Sequence, residues 1–280
     1  MTTGHQPTVD DVASWWATSV SRIEPNVIEL RGHPIQDLIG TTSLVEIVWL
    51  LLRGERPDPR RAKLLEAALV AGVDHGPQAP SIAAARMAAT CGIGLNGAVA
   101  TGVNLLGDVH GGAGQQCLEL LSEICDAVAG DSESDGGFDG GLDAEFAAAA
   151  ADVLAAWRSR SPYVPGFGHR FHTVDPRRDP LVSLVRTAVD DGVVAGRHLA
   201  AALAVERALR TKDGRQVPMN IDGSTAVVYG ELGFPAPLAR GIFVLSRSIG
   251  ILAHAWEETQ EGRRIKGPMP PGILPAYVGP

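Results

Sequence analysis

Residues 237–262 read PLARGIFVLSRSIGILAHAWEETQEG, and this stretch decides the fold class. Its apolar residues return at three- and four-residue intervals, the period of a helix, with no strand-like alternation. The same signal recurs upstream. Ser43 and Glu46 have capping-box spacing ahead of LVEIVWLLLR, with Gly54 as a stop signal and Pro57 beyond it. Asp58-Pro59 suits an N-cap and first helical position, opening RRAKLLEAALVAG. Ser81 is expected to cap IAAARMAATCG, and CLELLSEICDAVAG (117–130) carries an apolar face at helical spacing. DAEFAAAAADVLAAWRSR (143–160) is alanine-rich and strongly helix-prone. Asp179-Pro180 opens LVSLVRTAVDDG, and HLAAALAVERALR (198–210) follows closely. Strand candidates are few, with VIEL (27–30) the best, in a small hairpin. The expectation is an all-α protein of packed helices without internal repeats.

Bulk numbers narrow the function classes. The chain has 280 residues, 45% hydrophobic and 20% charged, enough for one large domain or two modest ones around an apolar core. No apolar run is expected to cross a bilayer, and MTTGHQPTVDD lacks a signal-peptide pattern, so neither membrane nor export is expected. Three cysteines without CxxC spacing (Cys91, Cys117, Cys125) read as reduced core residues of a cytoplasmic protein. The net charge, 24 − 32 = −8, gives no basic field for nucleic acid. An anionic ligand would need local arginines, such as Arg170, Arg177 and Arg178, or Arg263 and Arg264. AGDSESDGGFDGGLD (129–143) has no periodicity and is expected to be a mobile surface loop.

Three loops combine chain breakers with polar groups: GDVHGGAG (107–114) with His110, PGFGHRFHTVDPR (165–177) with His169, and PMNIDGSTAVVYGELGFP (218–235) with Asn220 and Asp222. Two histidines and an aspartate at helix starts form a plausible acid–base set. Bland alternatives stand beside each. His110 can cap the next helix, and Asp222 before Gly-Ser-Thr can be an ordinary N-cap. His169, His172 and Asp175 can be a metal site, although the spacing lacks a helix to aim both rings one way, and no metal is expected. His5, His33, His198 and His254 read as surface or packing residues.

These three loops, in this order on a helical chain, resemble the citrate synthase superfamily. LRGHPIQDLIGTTSLVEIVWLLLRGERP resembles the family's early helical segment and SRSIGILAHAWEE its late one, so the likeness runs from about residue 27 to the end. The chain is short, and HRFHTVDPR has one residue fewer than the usual synthase form. Both traits are nearest to citryl-CoA lyase and the lyase-like end of ATP-citrate lyase.

The resemblance implies aldol-type chemistry between acetyl-CoA and oxaloacetate through citryl-CoA, with no tightly bound cofactor. It implies Asp222 as the base for the thioester methyl group, His110 as donor to the thioester oxygen, and His169 as partner of the oxaloacetate carbonyl. His75, Arg177 and Arg247 fall at substrate-binding positions, the arginines suited to carboxylates. Val164, Pro165, Gly166, Phe167 and Gly168 would meet the adenine end of CoA, with Arg215 and Asn220 near its phosphate and pantetheine arm. A departure lies at RRIKGPMP, where Gly267 precedes Pro268 instead of the family's arginine, leaving Lys266 or Arg264 as substitutes. The family likeness also implies a homodimer. It divides the chain into a large domain of residues 1–111 and 231–280 and a small mobile domain of 112–230. Alternatives are a citrate or 2-methylcitrate synthase, and a non-catalytic homologue that binds CoA or a partner.

Overall fold

The computed structural model describes residues 8–128, 140–270 and 272–279. His5 and residues 129–139 of the Gly-Asp stretch lie outside the described residues. The described chain is mainly helical and divides into two compact units, residues 1–63 and 64–280.

In the first unit, α1 (Val9–Trp16) opens on a capping box between Thr8 and Asp11. Strands β1 (Ser21–Glu24), β2 (Val27–Leu30) and β3 (His33–Pro34) form a three-stranded antiparallel meander among the described residues, so the expected hairpin gains a strand. Leu30 pairs with His33 across Arg31 and Gly32, both at positive φ, the backbone of a type I′ turn. Arg31 is held there by its side chain, which donates to Leu51 O at 2.8 Å and to Ser19 Oγ at 2.6 Å. A short α2 (Ile35–Leu38) leads to α3 (Leu44–Arg53). Ser43 and Glu46 make the reciprocal capping bonds of α3, and Gly54 ends it at φ 82°. α4 (Pro59–Gly72) begins where Asp58 accepts from Arg60 N at 2.7 Å.

The second unit holds α5 (Pro80–Thr90), α6 (Leu95–Val103), α7 (Ala113–Ala127), α8 (Gly140–Arg160), α9 (Arg178–Asp190), α10 (Arg197–Ala208), α11 (Ile221–Glu231) and α12 (Ala236–Gln260). α5 and α6 pack together and against α12 around Ile82, Ala85, Ala98, Ile251 and Ala255. Each buried isoleucine there contributes about 1.5–3 kcal/mol. Small residues let the helices close up: a Cβ on Gly102 would lie 2.7 Å from Ser81 O and 2.8 Å from Ile251 Cγ2. α7 packs against α11, α10, α8 and α12, and α9 packs on α11. Glu231, at the end of α11, caps α10 from outside by accepting Gly196 N at 2.8 Å and Leu199 N at 3.0 Å.

Four expectations need correction. Ser81 does not cap α5; Ala79 holds that position and Ser81 sits buried inside the first turn. α9 starts at Arg178 rather than at Asp179-Pro180, because Asp175 O accepts Arg178 N at 3.0 Å and turns the chain earlier. Cys117 and Cys125 are buried, but Cys91 is exposed where α5 ends. α12 is long and apolar enough by length and composition to cross a membrane. Yet it packs on α5, α6 and α7 and buries Arg247 and Glu258, the pattern of a core helix. Glu258 is satisfied there by Arg86 and Arg263, so Arg263 is no free anion site.

Candidate active site

The 107–112 loop closes tightly before α7: a Cβ on Gly112 would lie 2.8 Å from Asp108 Cα. Arg240 anchors the loop through Asp108 at 2.6 Å. His110 Nε2 lies 2.9 Å from Ser81 Oγ and 3.2 Å from Ser81 N. A backbone N–H can only donate, so Nε2 accepts and the ring proton sits on Nδ1. Burial, then the charge of Arg247, lowers the pKa of His110 below the usual histidine range. The ring is a neutral donor through Nδ1.

His169 has the opposite tautomer. Its Nδ1 accepts from Phe171 N at 3.0 Å and His172 N at 3.1 Å, which places the proton on Nε2. Burial and then His172 lower its pKa, with Asp175 opposing. The His75 ring lies 5.8 Å from it, also shifted down by burial and then by Arg247 and Arg177. The His75 turn is fixed by Gly76 N donating to Asp74 Oδ2 at 3.1 Å, and His254 Nε2 lies 3.2 Å from Asp74 Oδ1.

Asp222 is not the N-cap of α11. Asn220 is, accepting Asp222 N at 2.9 Å and Gly223 N at 3.2 Å through Oδ1. The Asp222 carboxylate is therefore not spent on capping, and it makes no hydrogen bond among the described residues. Burial raises its pKa above the ordinary aspartate value, Arg247 and Arg177 oppose, and Asp175 adds to the rise. A Cβ on Gly114 would still lie 3.8 Å from Asp222 Oδ1, so that side of the carboxylate is uncrowded.

The two arginines are held from behind. Buried Arg247 donates from Nε to Gly72 O at 3.0 Å and lies over the Phe243 ring at 4.9 Å. Arg177 grips Asp175 with Nε and Nη2, both at 2.9 Å. Asp175 also accepts Arg177 N and Ile221 N, each at 3.0 Å. Burial alone would raise the Asp175 pKa, but Arg177 and these amides hold it down to about 2. With its oxygens so engaged, Asp175 is no metal ligand, and no group of three or more metal-binding side chains is gathered among the described residues. Arg178 likewise pairs with buried Glu206.

The 164–168 turn is stitched to the approach of α11. Gly168 N donates to Pro218 O at 2.8 Å, and Asn220 N to Gly166 O at 3.0 Å. Asn220 Nδ2 donates to Gly168 O at 2.7 Å, so the Asn220 side chain is spent on structure. Phe167 pairs with Met219 between these bonds without using its own N–H and C=O, which make no hydrogen bond among the described residues, and neither do those of Val164 just before Pro165. Arg215 stands apart on an exposed turn closed by Thr211 N to Arg215 O at 2.8 Å, beside Asp213 at 3.4 Å.

His75, His110, His169, Arg177, Asp222 and Arg247 thus form one electrostatic cluster, with Arg247 acting on His75, His110 and Asp222. Two neutral N–H donors, a carboxylate of raised proton affinity and two guanidinium groups can abstract a carbon-bound proton, stabilise an oxyanion and hold carboxylates. Sequence reasoning missed the roles of Ser81 and Asp175. Ser81 carries no sequence signal beyond its place after Pro80, whereas Asp175 lies two residues from a predicted site arginine.

The chain is similar to known proteins over most of its length. Residues 52–268 match the family model described as citrate synthase, C-terminal domain. A citrate synthase of Acidithiobacillus ferridurans is 30% identical over 227 residues, covering 78% of this chain and 52% of that protein. The chain spans about half the length of the first curated relatives it matches. The solved citryl-CoA lyase of Hydrogenobacter thermophilus is 27% identical with a TM-score of 0.77, covering 95% of this chain and 96% of that one. An ATP citrate lyase from Methanothrix soehngenii, solved with citrate and coenzyme A, is 20% identical with a TM-score of 0.77. It covers 99% of this chain and 42% of that one, and shares the fold.

Proposed function

The chain belongs to the citrate synthase family, and from that premise we propose that it is a citryl-CoA lyase-type enzyme. It would cleave, or form, the carbon–carbon bond between the acetyl-CoA and oxaloacetate halves of citryl-CoA. The observation that carries this reading is the pairing of two histidines, locked as neutral donors of opposite tautomer, with a half-buried aspartate that caps no helix. The lyase branch is supported by the match to a citryl-CoA lyase over nearly the full length of both chains.

In the condensing direction Asp222 takes a proton from the acetyl methyl carbon, and that C–H electron pair becomes the enol double bond. Free aspartate, with a pKa of about 3.9, is a poor base for this, and burial strengthens it. The Nδ1–H of His110 donates to the thioester oxygen as negative charge develops, a contribution of about 10²–10³ in rate for one such donor. The enol carbon attacks the keto carbon, whose oxygen takes up the Nε2 proton of His169 and becomes the citryl hydroxyl. The proton left on Asp222 replaces it on His169 by exchange through solvent, so the condensation neither consumes nor releases a proton. Cleavage runs the same steps backwards, with Asp222 returning its proton to the enol carbon. Arg177 and Arg247 hold the carboxylates, and the free backbone groups of Val164 and Phe167 meet CoA.

A second reading, a citrate or 2-methylcitrate synthase, is favoured by the 30% identity to a citrate synthase. Incubation with citryl-CoA, and separately with acetyl-CoA plus oxaloacetate, distinguishes them by products. Acetyl-CoA and oxaloacetate from citryl-CoA without free CoA fit the lyase; rapid release of free CoA and citrate would overturn it. The proposal includes a cytoplasmic homodimer. It also includes closure of the 112–230 segment, which carries Asp222, over bound substrate.

A further inference from the structure

Asp175 is buried, and its two oxygens receive four N–H donors. Three come from Arg177 and leave that guanidinium with Nη1 as its least committed nitrogen, 3.5 Å from Ala71 O. The fourth is Ile221 N, the first residue of α11, directly before Asp222. One carboxylate thus fixes both the direction of an arginine fork and the helix start that bears the base.

We infer that Asp175 is a positioning residue that couples the carboxylate-binding Arg177 to the proton-abstracting Asp222. The inference rests on the reaction proposed above. Charged and titratable groups face Asp222 from every side. Arg247 comes from α12, Asp175 and Arg177 from the 169–177 loop, and the Cys117 thiol from α7. The Tyr229 phenol shares its own helix. On α9 and α10, Arg178 and Glu206 pair with each other. Burial and Asp222 itself raise the thiol and phenol pKa values, so both stay neutral. Asp175 and Arg177 therefore present a balanced pair to Asp222, and removing either exposes the charge of the other.

The two removals have opposite signs. Asp175→Asn leaves Arg177 uncompensated, lowers the proton affinity of Asp222, and moves the acid limb of the condensation rate to lower pH, by about one unit. Arg177→Gln leaves Asp175 uncompensated and moves the limb to higher pH. Both weaken oxaloacetate binding in calorimetry by about tenfold or more, as loss or misdirection of a charged fork does. Asp175→Glu keeps the charge but displaces the fork; its limb stays near the wild-type position while oxaloacetate affinity falls. That variant and Arg177→Gln carry the test if Asp175→Asn does not fold. Limbs moving the same way, or oxaloacetate affinity within about twofold of wild type in the Asp175 variants, would overturn the coupling alone. A wild-type protein that neither cleaves citryl-CoA nor joins acetyl-CoA to oxaloacetate would overturn the proposed function and the coupling with it.

Discussion

The Ser81 hydroxyl lies 2.9 Å from His110 Nε2, and the Ser81 backbone N–H converges on the same nitrogen at 3.2 Å. This contact, not a helix cap, is the task of a serine buried in the first turn of α5. Ser81→Ala removes one donor and keeps the amide, so the tautomer survives with looser aim. A neutral hydrogen bond of this kind contributes about 1 kcal/mol, which predicts a roughly fivefold loss of kcat with KM little changed. Steady-state kinetics in the cleavage direction checks this. A loss beyond about two orders of magnitude would mean that the hydroxyl takes part in proton transfer.

Asp222→Asn tests the base. Turnover is expected to fall by about 10³-fold or more, since the variant has no group to accept the methyl proton. Stability should hold or rise, because burial raises the Asp222 pKa and an ionised group there costs folding free energy at neutral pH. The same shift gives wild-type condensation its pH dependence. The carboxylate form is active, so rate is lost as pH falls through a pKa above that of free aspartate. Rate profiles and thermal melts of both proteins read these outcomes. A variant with near-normal turnover would remove Asp222 from the mechanism.

Gly166→Ala tests how the 164–168 turn is seated. Gly166 has φ 83°, and an added Cβ would collide with Cys117 Sγ and lie 2.8 Å from Gly223 Cα. Strain in the left-handed region costs about 1–2 kcal/mol, and overpacking adds about 1–3 kcal/mol. Denaturant unfolding should report a combined loss of that order. Gly168→Ala, with φ 75° but only Val217 Cγ1 nearby at 3.3 Å, should cost less. Equal losses at the two positions would mean that the contact with α7 and α11 contributes little.

Helix positions were legible because they depend on local signals. Ser43, Glu46 and Gly54 form a start and stop within one segment, and all three act as their residue types predict. His110, His169 and Asp222 were legible as candidates because each lies beside chain breakers in a loop or at a helix start. What stayed hidden depends on distant contacts. Ser81 meets a loop 29 residues away, and Asp175 reaches an amide 46 residues away. Asn220 illustrates the converse. It sits in a motif read as ligand-binding, yet its amide oxygen caps α11 and its amide nitrogen holds Gly168 O, a division of labour that spacing alone does not reveal.

Arg247→Lys separates the two substrate halves. The arginine is placed by Nε to Gly72 O and by the Phe243 ring, while its terminal nitrogens make no hydrogen bond among the described residues. A lysine has one point charge and no fork, so oxaloacetate or citryl-CoA binding should weaken by about tenfold or more. Acetyl-CoA binding should change little. Calorimetry with each ligand decides the matter, and equal weakening for both would make Arg247 a structural residue.

α12 has two apolar faces, and only one is buried among the described residues. Ile242, Gly250, Ile251 and Ala255 are buried, while Leu245, Ile249, Leu252 and Trp256 recur at four- and three-residue steps on the exposed side. The four side chains are about half exposed, so covering them contributes roughly half of the 1.5–3 kcal/mol that full burial of each would give. A two-fold axis would double that sum, to the same order as an association cost of about 10 kcal/mol. Sedimentation of the wild-type chain should therefore show a dimer, and Ile249→Glu should shift it to monomer by placing a charge in the middle of the stripe. Arg247 lies on the buried face, so a monomeric variant still contains its guanidinium, and any loss of activity would report on assembly rather than on the carboxylate site. An active wild-type monomer at micromolar concentration would remove the dimer from the proposal and leave the stripe unexplained.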